Sequence, residues 1–142
     1  DFCLSRGLGD VYKRQVHDAA RPLLKEDTIR LCMDSIYKDG YDGAMPVLPM
    51  KDTIYVSADG RKVDSLIDRA TVYAGQAPEL FVLDKYAEAN KALLPDKILG
   101  INGSSEPAVM AGMNIALIQG DENNYKITTK ADLDRFISVL GD

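Results

Sequence analysis

Histidine and cysteine are scarce in this sequence, which has one His and two Cys among 142 residues. Neither a catalytic triad nor a cluster of metal ligands is expected around the single histidine, and we interpret His17 as a structural residue of a strand. Cys3 and Cys32 are too few for a disulfide framework, and no Cys-x-x-Cys pair with zinc spacing is present. This cysteine usage favours a reducing compartment, and we expect a cytoplasmic protein.

Long apolar runs and an excess of positive charge are also missing. No stretch approaches the roughly 20 consecutive apolar residues that span a bilayer, and no secretory signal precedes Val16, so we expect no membrane association. The formal net charge of −5 would repel a polyanion such as DNA at long range, which argues against a nucleic-acid partner. A small anionic substrate can still bind where a few cations converge.

The apolar pattern predicts one α/β domain in which helices and strands alternate around a mostly parallel sheet. Four apolar residues at helical spacing predict a helix from about Glu26 to Asp39 that stops at Gly40. The other predicted elements are strands at 44–48, 53–56, 62–67, 72–74 and 114–118, and helices from 78 to about 92 and from Thr129 onward.

Two local signals add detail to this pattern. Asp59-Gly60 is a favourable hairpin turn, so the extended stretches on either side of it predict a β-hairpin arm over about 49–71. Thr129, followed three residues later by Asp132, predicts an N-terminal cap for the last helix.

Five segments in a fixed order carry a resemblance that runs from Val16 to about Leu140. They are His17–Pro22, Pro46–Thr53, Asp68-Arg69, Gln76–Phe81, and Asn124–Thr129 with Asp132-Leu133. Together they resemble the 2-C-methyl-D-erythritol 4-phosphate cytidylyltransferase family and its close relatives of the CDP-ribitol synthase type. The resemblance implies a Rossmann-like nucleotidyltransferase fold in which the hairpin is a dimerisation arm.

The resemblance also implies a CTP-dependent cytidylyltransferase that joins CMP to an alditol phosphate and releases pyrophosphate, with Mg²⁺ as cofactor. The expected acceptor is 2-C-methyl-D-erythritol 4-phosphate, in the non-mevalonate isoprenoid pathway. The alternatives are ribitol 5-phosphate, for surface polymers, and a non-catalytic nucleotide-binding or scaffold relative. As in other phosphoryl transfers, the protein must hold two polyanions in line and neutralise charge on the phosphorus oxygens.

The family pattern assigns catalytic roles to Asp18 and Lys126. Asp18 is expected at a strand end, where its carboxylate orients substrate hydroxyls or approaches the metal bound to CTP, and capping of its own loop is the alternative. Lys126 is expected to stabilise the phosphorus centre or the substrate phosphate as a compact charge, with a plain surface position as the alternative. Arg21 is expected either to contact substrate or to cap the loop before Pro22.

The arm and a later loop complete the expected substrate site. In the family such arms exchange between subunits, so Arg69, together with Thr53, is expected to serve the phosphate bound by the partner in a homodimer. Lys51 joins the cations that the resemblance selects, and Asn102 is expected to bind substrate.

Two departures from the family pattern leave the substrate open. Relatives have Gln-Thr-Pro-Gln where this chain has Gln76-Ala77-Pro78-Glu79, and a Thr-Asp-Asp/Glu-Ala stretch is replaced by Asn102–Ser105. Ala77 and Asn102 therefore stand where threonines help to hold the substrate, and each lost polar contact costs on the order of 1 kcal/mol. Either Asn102, Ser104 or Ser105 compensates, or the pocket accepts a different alditol phosphate.

Residues 1–15 do not follow the family pattern. Family members open with a strand and a glycine-rich loop whose amides and basic residues hold the CTP phosphates, and nothing before Val16 resembles it. We interpret residues 1–15 as a non-native scar, with a divergent N-terminus as the alternative, and residues 16–142 as a partial cytidylyltransferase domain. On this interpretation the nucleotide loop is absent, and this chain by itself is expected to be inactive.

Overall fold

The computed structural model describes residues 13–141. The strands are β1 (Lys13–Val16), β2 (Gly43–Pro49), β3 (Ile54–Val56), β4 (Ser65–Ile67), β5 (Tyr73–Gly75), β6 (Glu79–Val82) and β7 (Ile115–Gln119), and the helices are α1 (Glu26–Tyr37), α2 (Leu83–Lys91), α3 (Glu106–Met110) and α4 (Lys130–Leu140). Of the segment interpreted as non-native, residues 1–12 lie outside the described residues, and 13–15 belong to β1. None of the described helices is both long enough and apolar enough to cross a membrane.

Strand β2 is the centre of the main sheet. On one edge it pairs antiparallel with β6 through residues 43–44 and with β5 through residues 47–49, and on the other edge it pairs in parallel with β7. Strand β1 extends the sheet beyond β6, again antiparallel. Among the described residues the sheet is therefore mixed, and the prediction of a mostly parallel sheet is wrong for this part of the chain.

The difference comes from β5, which pairs antiparallel with β2, and from residues 79–82, for which the sequence pattern predicted the start of a helix. They form β6, and α2 begins only at Leu83. Leu80 and Phe81 are buried in this strand, which pairs on both of its edges. Gly43 of β2 allows the close approach, since a Cβ at that position would lie 2.8 Å from the Phe81 ring and 2.9 Å from the Leu80 carbonyl oxygen. Pairing and burial between two strands thus override the helical spacing.

Helix α1 packs against one face of this sheet, as its apolar spacing predicted. Its buried Cys32 and Ile36 contact Ala44, Leu80 and Ala116, which come from β2, β6 and β7. Burial raises the pKa of the Cys32 thiol to about 11, because the thiolate loses its hydration there. This cluster fixes the strands whose ends carry the candidate site.

The hairpin arm is confirmed as a separate two-stranded sheet. Among the described residues β3 and β4 pair only with each other. Asp59 closes the turn by accepting hydrogen bonds from the backbone N–H groups of Arg61 and Lys62, which lowers the pKa of its carboxyl. Tyr55 and Leu66 lie opposite each other in the hairpin and are 59% and 64% exposed. The arm therefore presents apolar side chains to solvent.

The predicted cap at the start of α4 is confirmed. The Thr129 hydroxyl accepts a hydrogen bond from the Asp132 N–H, and the Asp132 carboxylate accepts from the N–H groups of Thr128 and Thr129 at 3.0 and 2.8 Å. These bonds favour the ionised carboxylate and lower the pKa of Asp132 to about 2. The cap thereby fixes the chain shortly after Lys126.

Candidate functional site

A pocket of about 330 Å³ opens beyond the end of β1, where the chain leaves the sheet after Val16. Its charged lining residues are Asp18, Arg21, Glu79 and Lys126, and its uncharged ones include Gln76, Ala77, Asn102, Gly103 and Ser104. Every predicted site residue outside the hairpin arm therefore lies at this pocket.

Asp18 lies between the two cations of the pocket. Its Oδ2 is 3.3 Å from Lys126 Nζ and 3.5 Å from Arg21 Nε. The side chains of Asp18 and Lys126 remain 41% and 48% exposed, so a ligand can reach both of them, whereas that of Arg21 is only 12% exposed. The predicted catalytic pair thus meets within ion-pair distance from distant parts of the chain, and the catalytic roles themselves stay predictions.

Arg21 joins two loops. Its Nη1 donates to the Asn124 carbonyl at 2.6 Å, and its backbone N–H donates to the Asp18 carbonyl at 3.0 Å. His17 Nε2 lies 3.2 Å from the Arg21 carbonyl oxygen, so this histidine belongs to the loop and not, as predicted, to the strand. Arg21 Nε is buried without a hydrogen-bond partner, near the Asp18 carboxylate. Arg21 therefore does close the loop, and its guanidinium also forms part of the pocket wall.

Two buried amide side chains fix the loop that carries Lys126, and sequence reasoning did not assign them a role. Gln76 Oε1 accepts from the Asp121 N–H at 3.1 Å, while its Nε2 donates to the Asp121 and Asn124 carbonyls at 2.9 and 3.3 Å. Asn124 Nδ2 donates in turn to the Ala77 carbonyl at 2.7 Å. Loop 121–126 is thereby tied to the segment between β5 and β6. The sequence feature that could have identified Gln76 and Asn124 is that both lie inside segments that carry the family resemblance.

A serine and a glutamate form another part of the wall. Ser104 Oγ donates to Glu79 Oε2 at 2.5 Å, and the Tyr86 hydroxyl donates to the Ser104 carbonyl at 2.8 Å. The backbone N–H of Asn102 donates to Glu106 at 3.0 Å, which anchors this loop to α3. The two segments that depart from the family pattern, 76–79 and 102–105, therefore meet directly in the pocket.

The predicted site residues of the arm do not line the pocket of their own chain. Thr53 is exposed between β2 and β3, and Arg69 begins a short 3₁₀ turn after β4, where its Nη1 donates to the Lys51 carbonyl at 2.7 Å. Lys51 itself forms an exposed ion pair with Glu122. Their role at the pocket of a partner subunit stays a prediction.

Asp18 is the pocket carboxylate that lies beside the candidate phosphate-binding cations, Arg21 and Lys126. Within the described residues no three His, Cys, Asp or Glu side chains are grouped so that they could hold a metal ion by themselves. Mg²⁺ in nucleotide sites is commonly held by one or two carboxylates, with phosphate oxygens and water completing its shell. Asp18 fits that mode, because it lines the pocket and remains partly exposed.

Comparison with known protein families gives a match over most of the chain. Residues 10–141 match the family described as IspD: 2-C-methyl-D-erythritol 4-phosphate cytidylyltransferase. The chain is 35% identical over 118 residues to the 2-C-methyl-D-erythritol 4-phosphate cytidylyltransferase of Bacillus pumilus, covering 83% of this chain and 50% of that protein. It is 34% identical over 120 residues to the bifunctional enzyme IspD/IspF of Paramagnetospirillum magneticum, covering 84% of this chain and 30% of that protein.

Solved structures share the fold. The 2-C-methyl-D-erythritol 4-phosphate cytidylyltransferase of Thermus thermophilus superposes with a TM-score of 0.77 at 22% identity, covering 94% of this chain and 64% of that one. That of Francisella tularensis superposes with a TM-score of 0.80 at 22% identity, covering 89% and 58%. The predicted Rossmann-like nucleotidyltransferase fold is confirmed. The chain spans between 30% and 50% of the length of the curated relatives described above.

Proposed function

The chain belongs to the 2-C-methyl-D-erythritol 4-phosphate cytidylyltransferase family, and we propose that the full-length protein transfers CMP from CTP to an alditol phosphate and releases pyrophosphate. The proposed acceptor is 2-C-methyl-D-erythritol 4-phosphate, in non-mevalonate isoprenoid biosynthesis. The observation that carries the proposal is the meeting of Asp18, Arg21 and Lys126 at one pocket. Because CTP is an intracellular nucleotide, the proposal includes a cytoplasmic location.

The cluster suits attack of an acceptor phosphate oxygen on the α-phosphorus of CTP. Negative charge spreads over the phosphorus oxygens during this step, and cations that are already in position stabilise it. Lys126 supplies a compact ammonium that can turn from Asp18 toward that charge, because nearly half of its side chain is exposed. Arg21 supplies a second cation, whose place is fixed by its hydrogen bond to the Asn124 carbonyl.

Mg²⁺ is part of the proposal, and Asp18 is the side chain that would hold it. When bound, the ion neutralises charge on the triphosphate, whose oxygens complete its coordination. The contribution of the chain itself is a carboxylate that Lys126 and Arg21 keep on the pocket wall.

We also propose that the hairpin arm joins two copies of the protein. Tyr55 and Leu66 would be buried against the second copy, and each square ångström of apolar area removed from water contributes roughly 25 cal/mol. Thr53 and Arg69 would then act at the pocket of the partner. Sedimentation of the wild type and of Leu66→Asp checks this. A dimer that is lost only in the variant supports dimerisation through the arm, and a dimer that the variant retains excludes it.

The test of the function is pyrophosphate release by the full-length protein with CTP and Mg²⁺. We expect release with 2-C-methyl-D-erythritol 4-phosphate, and less with ribitol 5-phosphate as the matched alternative acceptor. Release with ribitol 5-phosphate alone would reassign the acceptor. Absence of release with both acceptors, combined with CTP binding in calorimetry, would contradict an enzymatic function and favour a nucleotide-binding relative.

A further inference from the structure

The Glu79 carboxylate differs from the other charged groups of the pocket in its partners. Asp18 forms ion pairs with both Arg21 and Lys126. Glu79 lines the same pocket, yet among residues 15–141 no cation lies within ion-pair distance of it. The hydrogen bond that it accepts in this part of the chain comes from the Ser104 hydroxyl. The pocket therefore has an ion-paired cluster around Asp18 and, apart from it, the Glu79 carboxylate, which is hydrogen-bonded to a neutral hydroxyl.

The position of this carboxylate is fixed by the fold. Glu79 begins β6, where it lies opposite Val16 of β1 in the antiparallel register. The Ser104 hydroxyl donates to Glu79 Oε2 at 2.5 Å, and the Tyr86 hydroxyl donates to the Ser104 carbonyl at 2.8 Å. The Tyr86 ring stacks on the fully buried Phe81 with 4.4 Å between ring centroids. Glu79 therefore does not depend on a ligand for its place on the wall.

An ionised carboxylate accepts hydrogen bonds and donates none. Among residues 15–141 Glu79 Oε1 has no donor, so this oxygen is available to hydroxyl groups of a ligand. A phosphate group is disfavoured there by like charge, and it is favoured beside Arg21 and Lys126. The pocket is therefore suited to a ligand with a phosphate at one end and free hydroxyls at the other.

We propose that Glu79, held in place by Ser104, is a specificity-determining residue that binds the hydroxyl groups of the acceptor. This inference rests on the proposed function and names the substrate class of the same pocket: a phosphorylated polyol without a second anionic group. A glutamine at this position would meet hydroxyls only through a neutral amide. Charge-assisted hydrogen bonds are roughly twice as strong as neutral ones, so the carboxylate gives the stronger preference for hydroxyl donors.

The test is steady-state kinetics of the full-length protein and its Glu79→Gln variant, with CTP and each alditol phosphate varied in turn. Glutamine keeps the size and can still accept from Ser104, so the fold should persist, and equal thermal midpoints check that it does. We expect KM for the alditol phosphate to rise about 10-fold, the loss of one charge-assisted hydrogen bond, with KM for CTP unchanged. Glu88→Gln, on the exposed face of α2, is the matched control and should leave both constants unchanged.

A second substrate, with an additional anionic group, tests the role of the Glu79 charge directly. Erythronate 4-phosphate carries a carboxylate at the end where the alditol carries a hydroxyl, so the wild type should use it poorly and Glu79→Gln should lower that discrimination. If Glu79→Gln changes neither KM nor this discrimination, or raises only KM for CTP, the role assigned to Glu79 is wrong while the proposed function stands. If the wild type turns over no alditol phosphate, the proposed function fails and the role of Glu79 fails with it.

Discussion

Replacement of Gln76 by alanine should destabilise the full-length protein by about 3 kcal/mol. The Gln76 amide makes three hydrogen bonds to the backbone of residues 121 and 124 at 2.9 to 3.3 Å, and its side chain is 6% exposed. Each bond contributes about 1 kcal/mol net. The Asp121 N–H loses the Gln76 oxygen, whereas the Asp121 and Asn124 carbonyls keep the bonds that they accept from the Asn124 N–H and from Arg21. A loss of about 3 kcal/mol is large beside the 5–15 kcal/mol that stabilises a typical domain.

Urea unfolding of the wild type, Gln76→Ala and Gln119→Ala measures this effect. Gln119 is the matched control, because it is an exposed glutamine nearby whose amide makes a 3.3 Å bond to the Gly120 carbonyl. Its replacement should change the free energy of unfolding by less than about 0.5 kcal/mol, as is usual for surface positions. The dependence on urea should keep the same slope in all three proteins, so that the shift in midpoint reports stability alone.

Equal midpoints for the two variants would refute the reasoning, because they would mean that the buried amide does not hold loop 121–126. Activity gives an independent reading. This loop carries Lys126. Gln76→Ala should therefore lower kcat even without urea and at a temperature where the variant remains folded, and Gln119→Ala should not.

Three further predictions concern single side chains. Lys126→Ala should lower kcat by at least about 100-fold, as for the loss of one positioned group that stabilises transition-state charge, and should leave the unfolding midpoint within error of that of Lys130→Ala, the surface control. If activity is unchanged, Lys126 has no part in the mechanism. Asp132→Asn should lower stability at neutral pH, because the native carboxylate accepts the capping hydrogen bonds. Its native pKa of about 2 lies below the ordinary value of 3.8, so its contribution is complete above about pH 4 and is lost as the pH falls toward 2. Urea midpoints of wild type and variant should therefore converge over that range, and a constant gap would contradict the cap assignment. Finally, Cys32 should resist a thiol reagent at pH 8 in a Cys3→Ser background until the protein unfolds, since its thiol is buried with a pKa of about 11. Rapid labelling of the native protein would contradict that burial.

The features that the sequence predicted well depend on contacts close in sequence. The apolar spacing of α1 and the Thr129–Asp132 cap of α4 are visible within a single turn of helix, and the Asp59-Gly60 turn of the arm within four residues. The structure confirms each of them with small shifts of boundary. Asp18 and Lys126 were linked through the family resemblance, and their approach to 3.3 Å follows only from the assembled sheet and loops.

The features that sequence reasoning missed depend on distant partners. Leu80 and Phe81 fit the periodicity of the helix that follows them, and only pairing with both β1 and β2 makes them a strand. Gln76 is a polar residue of ordinary appearance, whose importance comes from backbone groups about 45 residues away in sequence. Short apolar segments and buried amides of this kind cannot be assigned without their tertiary neighbours.

The shared ion pairs of Asp18 have a consequence for how substrates arrive. Two cations and two carboxylates line the pocket, so its local charges cancel before any ligand binds. A negatively charged nucleotide or sugar phosphate therefore meets little long-range attraction from these side chains, and its rate of association should depend only weakly on ionic strength. On binding, the incoming phosphate instead takes the place of the Asp18 carboxylate beside Lys126. The pocket then distinguishes one phosphorylated ligand from another through direct contacts, after the ligand has reached it.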